Sequence, residues 1–303
     1  MTLDTLTSRG PAQNEQNNSN VYILYHYPCT DGFGGRYAAW RKFGNSANYI
    51  GVQYGKPIPV IPDGSELYII DFSYSKNVLR DLNSRMKKLV VLDHHKTAEE
   101  DLRGEPYATF DMNRSGAVMA WEYFHPDKPV PTLLQMVQDR DLWSWKLPNT
   151  KPVLEALRVF GDGYASDDPS VWDKYLEPDE EMIGFGNKIL SYQKSLIDSA
   201  VKEEKLCKVR VNNNFNTVIT NTTVFVSEIG NELYNLPGID FSTTYFVDVN
   251  GIVNLSFRSL KGGRIDVGAF ARMLGGGGHQ SSSGAKISLS ELDKILKTGI
   301  WKI

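Results

Sequence analysis

The sequence predicts an α/β protein of two domains: a larger amino-terminal domain built on a parallel sheet and a smaller α/β domain, joined by a long linker helix. Three observations lead there. The chain has 303 residues, beyond the usual size of one domain. Its first part alternates near-continuous apolar runs with helical segments, the pattern of a parallel sheet covered on both faces. After the helical stretch Glu180–Glu204 the texture changes and short strands return.

The elements follow in order. VYILYH (Val21–His26) is a buried strand. In the helix after it, Phe33, Tyr37 and Trp40 fall at helical spacing and Gly44 supplies a stop. ANYIGVQY, ELYIIDF and KKLVVLDHH are strands, and SKNVLRDLNSRM is an amphipathic helix with a Ser cap. SGAVMAWEYFHP, PTLLQMVQDRDLWSW and KPVLEALRVFG read as helices punctuated by Pro and Gly. Beyond the long helix come strands KLCKVRV, FNTVITN, STTYFVDV and GIVNLSFRS, with helices near 222–235 and 266–274. The expected boundaries are a disordered tail at 1–20, a first domain at 21–180, a linker helix at 181–204 and a second domain at 205–303. A tag remnant or a cleaved leader would resemble the tail. Asp4 and Glu15 argue against a transit peptide, and no apolar core marks a secretory signal.

Composition narrows the function. At 41% hydrophobic and 23% charged residues the chain is globular, which excludes disorder throughout. Against 33 Lys and Arg stand 36 Asp and Glu, so no global basic field is present to hold long DNA and any nucleic-acid contact is local. No apolar run is long enough for a membrane span. Two cysteines, Cys29 and Cys207, fit a reducing compartment. A cytoplasmic location is expected, with an organellar one left open.

Ligands of open parallel sheets bind beyond the carboxyl ends of the strands, and three strands end in metal-type residues. One ends in His26 and runs into Cys29 and Asp31, one ends in Asp71, and one ends in Asp93, His94 and His95. Taken singly, each reads as well as a helix cap or a hydrogen-bonded turn. Convergence of three strand ends is what isolated caps leave unexplained. Asp139 and Asp141 add carboxylates in an otherwise apolar and aromatic segment, and one of them reads equally as a helix cap. Carboxylates mixed with imidazoles suit Mn²⁺, and several such groups suit a pair of ions about 3.5–4 Å apart. Mg²⁺ is possible but suits an all-oxygen site better.

The run VVLDHH (Val90–His95) resembles the Asp-His-His signature of the DHH phosphoesterase superfamily. LGGGGHQSSSG (Leu274–Gly284) resembles the glycine-rich motif of its associated DHHA1 domain. The resemblance covers residues 21–303 and places four amino-terminal motifs in the family's order: HYPCTDG, Asp71, Asp93-His94-His95 and Asp139. It implies that Asp31, Asp71, Asp93, His94 and Asp139 are metal ligands, with His26 beside them. His95 would stabilise the site or lend a proton, so that Asp93, His94 and His95 carry catalysis. Asp141 is the reserve for the fourth motif. Where many members have Asp-x-Asp, this chain has Cys29-Thr30-Asp31, which leaves Cys29 as a ligand, a bystander or a cause of altered metal preference.

Four consecutive glycines are read as a loop shaped for the backbone to approach an anion, with a mobile surface loop as the alternative. Through the resemblance, Gly276, Gly277, Gly278 and His279 hold the substrate's phosphate, and Arg258 grips it with its planar fork. Lys261 and Arg264 are nearby cations. Trp143 and Trp145 are expected to pack the core or the domain cleft, where an aromatic face could stack a base. Cys207 and His125 read as a buried apolar residue and a surface residue.

The function so implied is that of a phosphodiesterase and exonuclease cleaving oligoribonucleotides, cyclic dinucleotides, nucleotide bisphosphates or single-strand ends by two-metal water attack. The second domain would grip the substrate and close over the site. The partner is a short nucleotide, no membrane is involved, and an oligomer is possible. Two alternatives stay open: an exopolyphosphatase or pyrophosphatase, and a non-catalytic nucleic-acid-binding scaffold.

Overall fold

A computed structural model of the chain describes residues 20–160 and 166–303. The expected disordered tail, apart from Asn20, lies outside them. The chain divides into two compact units between Leu190 and Ser191.

The first unit runs β1 (Val21–His26), α1 (Thr30–Phe43), β2 (Asn48–Val52), β3 (Glu66–Ile70), α2 (Lys76–Arg85), β4 (Lys88–Asp93), α3 (Lys96–Leu102), β5 (Ala108–Phe110), α4 (Gly116–Phe124), α5 (Thr132–Asp141) and α6 (Thr150–Phe160). The long helix α7 (Glu180–Ala200) follows. The five strands are all parallel, in the order β2-β1-β3-β4-β5. Alternate residues face opposite layers, and both layers are apolar. Ile23, Tyr68, Ile70 and Leu92 join a core with Phe33 and Tyr37 of α1 and with α4, α5 and α6. Leu24, Leu67, Ile69 and Val91 join a second core with Leu79 and Leu82 of α2 and Leu102 of α3. Burial on both faces is why these strands read as continuous apolar runs. Truncating a fully buried residue here, such as Ile69→Ala, would cost roughly 2–5 kcal/mol.

The second unit holds β6 (Cys207–Val211), β7 (Phe215–Asn221), α8 (Val226–Tyr234), β8 (Phe241–Val247), β9 (Ile252–Arg258), α9 (Val267–Met273), β10 (Gly277–His279), β11 (Ser282–Ser288), α10 (Leu289–Thr298) and β12 (Ile300–Trp301). They form a mixed seven-stranded sheet, β10-β11-β9-β8-β7-β6-β12. The end of α7 packs through Ile197 and Ala200 against Val218, Ile229 and Leu233.

Two expectations need correction. Only the first half of the four-glycine run is a loop: Gly275 and Gly276 precede an edge strand, and Gly277–His279 pairs antiparallel with Ser282–Gly284. Glycine is required because a Cβ on Gly276 would lie 2.1 Å from the Gly284 carbonyl oxygen, and one on Gly278 would lie 2.6 Å from Ser283 Cα. The tryptophans are also not core. Helix α5 stops at Asp141, and Trp143 and Trp145 follow in a turn with left-handed backbones (φ 55° and 51°). Trp143 is 42% exposed.

Candidate metal centre

The strand order reverses direction between β1 and β3, so the crevice at their carboxyl ends is where a ligand is expected. The chain leaves β1 at His26, passes Cys29 at the start of α1, and places Asp31 in that helix's first turn. It leaves β3 at Asp71, which adopts a left-handed backbone, φ 57°, uncommon for a residue with a side chain. It leaves β4 at Asp93, His94 and His95.

His94 Nε2 lies 3.1 Å from Asp71 Oδ1, 3.4 Å from Asp141 Oδ2 and 3.7 Å from Asp31 Oδ2. His26 Nδ1 is 3.5 Å from Asp71 Oδ2, and that oxygen has no hydrogen-bond partner among the described residues. Asp31 is fixed by the amino terminus of α4, whose Gly116 and Ala117 N–H groups donate to its carboxylate at 2.6 and 3.0 Å. This helix end reaches the crevice because Gly116 has no side chain: a Cβ there would come 2.4 Å from Asp71 Cβ. The ligating atoms fall into three groups, each within 4.8 Å: His26, Cys29 and Asp71; Asp71, His94 and His95; Asp31, His94 and Asp141.

Three carboxylates share this space, and the electrostatics follow. Burial, then the charges of Asp71 and Asp141, raise the Asp31 carboxyl well above its ordinary range. Burial likewise raises Asp141. For Asp71 burial works upward, but the neighbouring His26, His94 and His95 prevail and hold it at about 2. For His94 burial works against the charged ring, but Asp71, Asp31 and Asp141 push it up to about 9. Burial, with Asp71 and Asp31, raises the Cys29 thiol. A cluster in which carboxylates repel one another and one buried carboxylate oxygen lacks a partner fits divalent cations, which supply the missing charge and coordination.

Two expected ligands stand apart from the three groups. Asp93, fully buried, accepts at Oδ1 from the N–H of His94 and of His95 and from His95 Nδ1 at 2.7 Å, and at Oδ2 from Ser73 Oγ. Oδ1 is spent orienting the two histidines, and Oδ2 is held by Ser73. Asp139 is occupied in the same way, accepting from Ser144 Oγ, the N–H of Lys146 and of Leu147, and Thr150 Oγ1. It ties down the turn after α5, while Asp141 meets His94. His95, held by Asp93 through Nδ1, is left with Nε2 as its free ring nitrogen, and the bond to Asp93 raises its pKa against the effect of burial.

Sequence reasoning missed the role of Gly116, although Ser115-Gly116 before an apolar helix is a readable start signal. It also missed Tyr54, an exposed ring 4.3 Å from Phe72 and 5.7 Å from His26, which carries no sequence signal.

In the second unit, register links the expected substrate residues. His279 pairs with Ser282, and Ser282 pairs with Arg258, so the three form one cross-strand row whose side chains share a sheet face. Arg258 Nη2 donates to Ser227 Oγ at 2.9 Å, and burial lowers its pKa. His279 is exposed. Arg264 is paired with Asp240.

Comparison with known proteins agrees with this architecture. The family model described as the DHHA1 domain matches residues 221–300. The chain is 33% identical over 293 residues to an uncharacterized protein of Acanthamoeba polyphaga mimivirus, covering 88% of this chain and 67% of that one. It is 23% identical over 296 residues to the oligoribonuclease NrnB of Bacillus subtilis, covering 88% and 73%. Two solved structures share the fold. One is the pGpG-specific phosphodiesterase PggH of Vibrio cholerae (16% identity, TM-score 0.52, covering 91% of this chain and 96% of that one). The other is a DHH domain described as a member of the s1p family of ribosomal proteins (13% identity, TM-score 0.60, covering 92% and 85%). Fold and relatives together define a hydrolase acting on phosphodiester bonds. The chain belongs to the DHH/DHHA1 phosphoesterase group, whose members are metal-dependent. Among the described residues no helix is long and apolar enough to cross a membrane.

Proposed function

We propose that this phosphodiesterase cleaves short nucleotide chains at a centre of two divalent cations, Mn²⁺ with Mg²⁺ as the possible substitute, held by His26, Asp31, Asp71, His94 and Asp141. The observation that carries the reading is Asp71: buried, left-handed in backbone, in contact with His94 on one oxygen and without a hydrogen-bond partner on the other among the described residues. The mixed imidazole and carboxylate donors favour Mn²⁺. Asp141 replaces Asp139 as the fourth-motif ligand, and Asp93 serves by orienting His95 rather than as a ligand.

The bound cations would lower the pKa of water and stabilise charge on the phosphoryl oxygens. The protein's own part is positioning. The α4 amino terminus holds Asp31 in place, Asp93 keeps His95 oriented, and His95 Nε2 carries the proton that the leaving oxygen needs. Trp143, exposed two residues beyond Asp141, offers a face on which a nucleobase stacks, which favours nucleotides over polyphosphate. Residues 205–303 act as the substrate-binding domain, with Arg258, His279 and the Gly276–Gly278 backbone gripping a phosphate; residues 21–180 carry the chemistry, joined through the helix at 181–204. The relatives named an oligoribonuclease and a pGpG-specific phosphodiesterase support an exonuclease of short substrates, and two unpaired cysteines fit a cytoplasmic setting.

The test is a panel of short RNAs, linear and cyclic dinucleotides, adenosine bisphosphate and polyphosphate, each with Mn²⁺ or Mg²⁺. Metal-dependent release of mononucleotides from the short RNAs or dinucleotides is expected. Hydrolysis confined to polyphosphate would overturn the reading.

A further inference from the structure

We infer that the Cys29 sulfur is itself a ligand of the centre, making its two ends chemically unequal. His26, Cys29 and Asp71 would form a softer end and Asp31, His94 and Asp141 a harder one. The inference rests on the metal-centre reading above and adds to it a ligand and a class of metal.

Cys29 occupies the cap position of α1 with extended backbone (φ −147°, ψ 137°), and its side chain makes no cap hydrogen bond. Caps are normally Ser, Thr, Asp or Asn, whose oxygens accept from the first turn, a task for which a thiol is a weak acceptor. Its sulfur instead lies with the ligating atoms of His26 and Asp71, all within 4.8 Å. Asp71, a residue 2% exposed, belongs to that same group, and its Oδ2 has no hydrogen-bond partner among the described residues, a second sign of a ligand there. Cys207 is a contrast: its sulfur sits 3.9 Å from the Leu296 carbonyl oxygen beside an apolar core and meets no group of ligating residues.

A sulfur, an imidazole and a carboxylate suit Zn²⁺, Fe²⁺ or Co²⁺ better than Mg²⁺. As the sulfur–metal bond forms the S–H bond breaks and its proton passes to solvent. The centre would then take a softer ion at one end while the carboxylate-rich end keeps Mn²⁺ or Mg²⁺.

The experiment is titration of the metal-free full chain with Co²⁺, reading the near-ultraviolet sulfur-to-cobalt charge-transfer band and the visible d–d bands together. The expected result is a charge-transfer band in the unmodified protein and in Cys207→Ser. It should be lost in Cys29→Ser and Cys29→Asp while the d–d bands of bound cobalt persist. Cys29→Asp should also raise affinity for Mg²⁺ relative to Co²⁺ by on the order of tenfold or more, the scale on which altered ligation moves metal affinity. Cobalt uptake without a charge-transfer band in the unmodified protein, or a band that survives in Cys29→Ser, would overturn the assignment while leaving the metal centre intact. No cobalt uptake would overturn both.

Discussion

His94 Nε2 sits 3.1 Å from Asp71 Oδ1, and through that contact Asp71 joins the two ends of the donor cluster. Removing His94 takes away a proposed cation contact without opening the core. His94→Ala should therefore abolish hydrolysis and weaken Mn²⁺ binding while circular dichroism stays unchanged. Asp93→Ala should differ, because it strands the buried Ser73 hydroxyl and frees His95; each buried donor left without a partner costs about 1–3 kcal/mol. Equal thermal stability of the two variants would argue against assigning them different tasks.

Asp139 gives a pH-dependent prediction. Burial alone would raise its pKa, but hydrogen bonds from Thr150, Lys146, Ser144 and Leu147 hold it below the ordinary carboxylate value. A depressed folded-state pKa means that the ionised side chain's stabilisation is complete above about pH 4 and disappears as the pH falls through the folded value. Asp139→Asn should cost roughly 1.5–3 kcal/mol at neutral pH, and the gap from the unmodified protein should close on acidification. Denaturant melts across pH check this; a gap constant with pH would refute it.

Trp143→Ala should raise KM for oligonucleotides by the equivalent of about 1–3 kcal/mol of binding free energy, the range for loss of one stacked base. Hydrolysis of an abasic oligonucleotide of the same length, which has no ring to stack, should change little. A parallel loss on both substrates would mean that the tryptophan supports Asp141 instead.

Arg258→Ala and His279→Ala should raise KM and leave Mn²⁺ binding untouched, since all the proposed ligands lie in the first unit. Lost charge-assisted hydrogen bonds to phosphate cost roughly 1.5–3 kcal/mol each. Titration calorimetry showing lost Mn²⁺ binding in either variant would contradict this division.

The parallel sheet was legible because Leu67–Ile70 and Val90–Leu92 are buried on both faces and so appear in the sequence as unbroken apolar runs. Strand ends pointed to His26, Asp31, Asp71 and His94 for the same reason, as polar residues where such runs stop. What pattern could not show was which of two carboxylates two residues apart faces the crevice. Asp139 and Asp141 look alike in sequence, and only the turn that places Ser144, Lys146 and Thr150 around Asp139 separates them. Short elements were missed as well. The strand Gly277–His279 has no side-chain signal because its glycines are set by close backbone approach rather than by propensity.

The most direct measurement is the Mn²⁺ content of the unmodified protein and of Asp71→Asn, which keeps the side chain's shape and removes its charge. If Asp71 holds one end of the centre and, through His94, orders the other, the unmodified chain binds a pair of ions and the variant loses both together. Wild-type Mn²⁺ stoichiometry in Asp71→Asn would contradict the account.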